Sequence, residues 1–144
     1  MTIRQSATRV ITVIAALLFL VPGAWAFFWP RSFYETVATF PPFNLHLFHD
    51  AGAFQLGIGA ALLAGLVWRD GLLVALIGGA AGTVVHAISH ILDAELGGRS
   101  GDPWILSALA VLVTVGAVAR LNAVRGHRQA PAATEDETPR RAVR

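Results

Sequence analysis

Residues 45–92 read LHLFHDAGAFQLGIGAALLAGLVWRDGLLVALIGGAAGTVVHAISHIL. Two apolar runs, about Leu45–Trp68 and Leu72–Leu92, meet at the short polar turn Arg69-Asp70-Gly71. Each is long enough to cross the hydrocarbon core of a bilayer as a helix, which takes about 20 residues. The turn between them is too short for anything but an antiparallel helical hairpin. This hairpin decides the fold class.

The flanking sequence adds two more spans. Val10–Trp29 carries no charge and is long enough to cross. Arg4 and Arg9, the breakers Pro22-Gly23 and the triplet Ala24-Trp25-Ala26 also resemble a signal peptide with its cleavage site. Hydrophobicity continues through Phe27, Phe28 and Trp29, so the expectation is a retained first helix. Pro30–Asn44 breaks the pattern with three prolines and several aromatic rings, which favour the headgroup level. Asp93–Asp102 is a loop containing Gly97-Gly98, and Pro103 suits the first turn of a fourth span over about 103–120. The expected architecture is an antiparallel four-helix transmembrane bundle over residues 10–121. A cytoplasmic N-terminus (1–9) precedes it and a disordered cytoplasmic tail (122–144) follows.

Composition agrees. The 144 residues are 55% hydrophobic and 14% charged, against roughly 25% charged in soluble domains. Mean hydropathy is +0.60. No cysteine is present, so disulfides, thiolate metal sites and covalent c-type haem are excluded. All basic residues are arginine. Arg4, Arg9, Arg69, Arg120, Arg125 and Arg128 fall on one side of the spans, and Arg31 and Arg99 on the other. The positive-inside rule then places both termini in the cytoplasm of a multi-pass cell-membrane protein. No phosphate-binding loop, nucleophile elbow, H-E-x-x-H motif or nucleic-acid signature occurs. Trp25, Trp29, Trp68 and Trp104 sit at span ends, where tryptophan anchors helices to the interface.

Polar groups within the spans are few and concentrated. The second span opens with His46, His49 and Asp50, and the third closes with His86, His90 and Asp93. At 100° per residue, His86, His90 and Asp93 share about 60° of one helical face. His46 and Asp50 share another, with His49 at its edge. Folding at Arg69-Asp70 puts His46 level with Asp93, and Asp50 level with His90, near the extracytoplasmic surface. The small residues Ala53, Gly57 and Ala61 continue the first stripe, and Gly78 and Gly82 the second. Such stripes let membrane helices approach closely, so these faces are expected to meet.

Imidazoles and carboxylates one turn apart on facing helices form a common bundle metal site. The expected ligands are His46, Asp50, His86, His90 and Asp93, in a mixed N/O set suited to Fe, Cu, Zn or Mn. Haem b held by axial histidines is a further option. The site would then belong to a membrane oxidoreductase. The alternative is a non-enzymatic subunit that binds a lipid or small molecule, or serves a homo-oligomer or larger membrane complex. His–Asp pairs can also clasp helices without any ligand. The residues do not choose between enzyme and non-enzyme.

Several of these residues carry a resemblance as well. Phe33-Tyr34, Phe40-Pro41, Asn44-Leu45-His46-Leu47 leading to Asp50-x-Gly52-Ala53, and the histidine pair closing the third span together stand out. On them the chain resembles small uncharacterised four-span membrane proteins of actinobacteria. His49 stands where arginine is usual in that pattern, and His86 and His90 are four apart where three is often seen. The resemblance implies fold and topology, and no activity.

Overall fold

The computed structural model describes residues 3–68 and 71–129. It contains the helices α1 (Ile3–Phe28), α2 (Pro30–Thr36), α3 (Leu45–Val67), α4 (Leu72–Leu92) and α5 (Asp102–Gln129). All but α2 are long and apolar enough to cross a membrane, over Gln5–Phe28, Leu45–Val67, Leu72–Leu92 and Asp102–Gly126. The protein is an all-helical, multi-pass membrane protein built on four such helices.

Local chemistry sets the helix ends. Pro30 opens α2, where a missing N–H costs nothing. Asn44 caps α3, its side-chain oxygen accepting from the Leu47 N–H at 3.2 Å. The Asp102 carboxylate accepts from the Arg99 N–H at 2.8 Å and ties the loop to the start of α5. Inside the spans, the Thr12 and Thr83 hydroxyls donate to the Thr8 and Gly79 carbonyls at 2.8 and 2.9 Å. Both threonines are buried, and these bonds satisfy hydroxyls that lipid cannot. The helix α5 continues to Gln129, past the boundary expected at 121, and residues 130–144 of the expected tail lie outside the described residues.

The four long helices form a ring in the order α1, α3, α4, α5. Contacts run in opposing directions along α1–α3 and along α3–α4. Gly23 meets Gly52 and Gln55, whereas Ala16 and Leu20 meet Gly59. Likewise Gly65 meets Leu72, whereas Ile58 meets Gly82. The centre is filled by Ala15, Ala16, Phe19, Leu62, Leu72, Leu76, Val113 and Ala117. A smaller aromatic core of Ala26, Phe33 and Phe48 joins α1, α2 and α3 at one end.

The packing faces differ from those expected. On α3 the buried positions are Phe48, Gly52, Gly59, Leu62 and Gly65, and on α4 they are Leu72, Leu76, Gly79, Thr83 and Ala87. Ala53, Gly57 and Ala61 are exposed, as are Gly78 and Gly82. A side chain added at Gly57 or Gly78 would meet nothing within 4 Å. Both helices are therefore turned by one residue, about 100°, from the expected orientation. The reason lies in the partners: α3 packs chiefly on α1 and α4 chiefly on α5, with only a lighter α3–α4 contact.

Candidate functional site

The same rotation redistributes the ionisable residues. His46 and Asp50 lie on the outer side of α3, with Nε2 3.4 Å from Oδ2 and side chains 85% and 53% exposed. His49, on the adjoining face, turns toward α1 and packs against Phe27 with ring centroids 5.2 Å apart. On α4, His86 and His90 lie one turn apart with centroids 4.8 Å apart and planes at 78°. Asp93 is exposed at the C-terminal cap of α4, its backbone N–H donating to the Ser89 carbonyl.

The five expected ligands thus fall into a pair on α3, a pair on α4 and a cap residue. Among the described residues, no group of three or more His, Asp or Glu side chains is placed to hold a metal ion. The convergence expected between the second and third spans does not form. Residues at equal depth on neighbouring helices still need facing side chains, and these face different ways.

The α4 pair is the more elaborate of the two. Two extramembrane segments meet beside it, the 37–44 connection after α2 and the 93–101 loop before α5. The Gly98 N–H donates to the Thr39 carbonyl at 3.3 Å. Gly97 and Gly98 have φ of 135° and 79°, conformations that favour glycine. A Cβ on Gly98 would lie 2.6 Å from the Phe40 ring, so the ring rests directly on the glycine backbone. Phe40 also meets His90, edge to face at 5.5 Å. His90 is half-buried and His86 exposed.

Phe40 and the Gly97-Gly98 pair are the residues that spacing rules on the helices do not find. Their sequence traces were the two adjacent glycines in a short loop and the Phe40-Pro41 pair, neither of which points to the histidines. Below them the two imidazoles offer hydrogen-bond donors and acceptors one turn apart, bordered by an aromatic edge. Further along, Arg31 lies over the Phe43 ring at 5.1 Å and pairs with Glu35 at 2.6 Å, holding the aromatic layer at the same membrane face.

No family model matches the chain, and neither does any curated protein or solved structure.

Proposed function

We propose that this chain is a non-enzymatic membrane subunit that binds the polar head of an amphipathic molecule, such as a lipid or quinone, at His86 and His90. One observation carries the reading. Two imidazoles lie one turn apart at the end of a membrane-spanning helix, with Phe40 edge-on to one of them. A polar head would hydrogen-bond the imidazoles, and its apolar part would lie along the exposed side of α4 past Gly82 and Gly78, which continue the histidine face inward. The arginine distribution supports a cell-membrane protein with both termini in the cytoplasm and this site at the outer surface.

The same pair supports a second reading. Imidazoles at i, i+4 can chelate Fe, Cu, Zn or Mn at two points, and a redox site would then take its remaining ligands from a bound molecule or a second copy.

One experiment separates the two. Detergent-purified wild type and His86→Ala/His90→Ala are compared by metal analysis, absorption spectrum and mass spectrometry of the organic extract. A stoichiometric lipid or quinone lost in the double variant is the expected result. Stoichiometric metal or a Soret band, lost in the variant, would replace the first reading by the second. Identical contents in both proteins would overturn both.

A further inference from the structure

One face of α3 packs against nothing within the bundle and keeps a strict repeat. His46, Asp50, Ala53, Gly57, Ala60 and Ala64 recur at spacings of 4, 3, 4, 3 and 4 residues. The first five are exposed and Ala64 is half-buried. From Ala53 to Ala64 nothing on this line is larger than a methyl group. Exposed positions elsewhere in the spans include Leu17 and Val21 on α1 and Ile77 and Val85 on α4, side chains that suit lipid. A repeat of 3.5 residues is the seam of a left-handed helix pair, and small side chains on it let two membrane helices approach closely.

Two observations stand apart from the spacing. Asp50 lies on the second turn of the span Leu45–Val67, about 7.5 Å along the helix. Its side chain is 53% exposed on the outer side, although ionisable groups within spans almost always face protein or water rather than lipid. His46, one turn nearer the surface, approaches it at 3.4 Å and leaves the rest of the carboxylate open. Gly57 has no role in a single bundle either. A Cβ there would meet nothing within 4 Å, and glycine weakens a helix interior relative to alanine.

The chemistry of the face selects its occupant. It presents a donor imidazole and an acceptor carboxylate one turn apart, so it complements a second copy of itself. Copies of one chain in one membrane share an orientation, so two α3 helices related by a two-fold axis along the membrane normal run parallel. His46 of each copy then lies one turn from Asp50 of the other, and the same contact is made twice. A partner of single charge would answer one member of the pair and strand the other.

We propose that this face of α3 is the interface of a homodimer, with Gly57 at the closest approach and a His46–Asp50 hydrogen bond in each direction between the copies. The histidine pair of α4 takes no part in it.

The chain has no cysteine, so disulfide cross-linking of the full-length protein in native membranes reads the face directly. With a membrane-permeant oxidant, Ala53→Cys and Gly57→Cys should each give a species of twice the chain mass. Val85→Cys, exposed on α4, should not. Dimer affinity is then measured in liposomes by energy transfer between copies labelled at Ser100→Cys. Gly57→Leu should weaken the dimer about ten-fold, as overpacking at a close contact does, while circular dichroism shows the helices unchanged. His46→Ala and Asp50→Ala should each weaken it by about three-fold for every bond lost, the strength of an interhelical hydrogen bond in a membrane. Equal cross-linking at Val85→Cys would reveal chance collision and overturn the proposal. So would a cross-linked product of another mass, which would seat a different protein on the face. Normal dimerisation of Gly57→Leu, or of both alanine variants, would also sink it.

Discussion

Gly52 lies so close to Gly23 that a Cβ on Gly52 would meet the Gly23 carbonyl oxygen at 2.8 Å and the Phe27 backbone nitrogen at the same distance. The reciprocal holds: a Cβ on Gly23 would lie 2.8 Å from Gln55 Cβ. In lipid, helices gain little from hydrophobic burial against one another, so close backbone approach of this kind supplies much of their association. Gly52→Val should push α1 off α3 and cost about 1–3 kcal/mol, the usual range for overpacking. Gly57→Val on the same helix should leave stability unchanged, because position 57 faces open space. Thermal unfolding in detergent, followed by circular dichroism, distinguishes them. Equal loss in both variants would mean that helix propensity, not the α1 contact, governs position 52.

The loop contact beside the histidines makes a second, sharper prediction. Gly98 combines φ +79° with a ring 2.6 Å from where a Cβ would stand. Gly98→Ala should cost roughly 1–2 kcal/mol in left-handed strain alone and displace Phe40 from His90. Hydrogen exchange should then rise across residues 38–42 and 95–100 together, since the two segments share the Gly98–Thr39 bond. A rise confined to 95–100 would mean that the two loops are not coupled.

The four spans were legible because length and apolarity alone define them; the tight turn expected at Arg69-Asp70 lies outside the described residues. Helix rotation was not, and the site depended on rotation. On α3 two faces are rich in small residues, one holding Gly52 and Gly59, the other Ala53 and Gly57. Periodicity cannot rank them. What ranks them is Gly23 on α1, whose partner role depends on a contact between distant residues. On α4 the same ambiguity lies between Gly78 and Gly79, and Val113 of α5 selects Gly79. A single-residue turn in each helix was enough to separate His46 and Asp50 from His86 and His90. Equal depth was a sound inference, but convergence needed the facing directions as well.

The His46–Asp50 pair should matter little to the stability of a single bundle. At 85% and 53% side-chain exposure it is an i, i+4 surface pair, and such pairs contribute about 0.3–0.5 kcal/mol. His46→Gln, Asp50→Asn and the double variant should unfold within a degree or two of wild type, as a few tenths of a kcal/mol imply. A loss comparable to that of Gly52→Val would instead assign the pair to an interface that only the assembled protein contains.

Orientation can be read by labelling. The proposed orientation, argued from the arginine count, has the 93–101 loop outside and the end of α5 inside. Ser100→Cys should react with a membrane-impermeant maleimide on intact cells, and Gly126→Cys only after permeabilisation. No native cysteine competes. The reverse pattern would turn the bundle over, moving the histidine pair to the cytoplasmic face.

Retention of the first helix is the remaining prediction, and packing makes the case. Cleavage after the Ala24-Trp25-Ala26 triplet would cut at Ala26, which is fully buried beside Phe33 and Phe48. It would also remove Ala15, Ala16 and Phe19 from the central core and strip the covering from Gly52 and Gly59. Three helices would remain in a ring designed for four, with the α1 side of both α3 and α5 uncovered. Intact mass measurement of the purified protein should therefore include residues 1–26. A version expressed from residue 27 should fail to give the cooperative thermal unfolding of the full chain. A mature mass lacking these residues, from a protein that unfolds cooperatively, would mean that another chain occupies the place of α1.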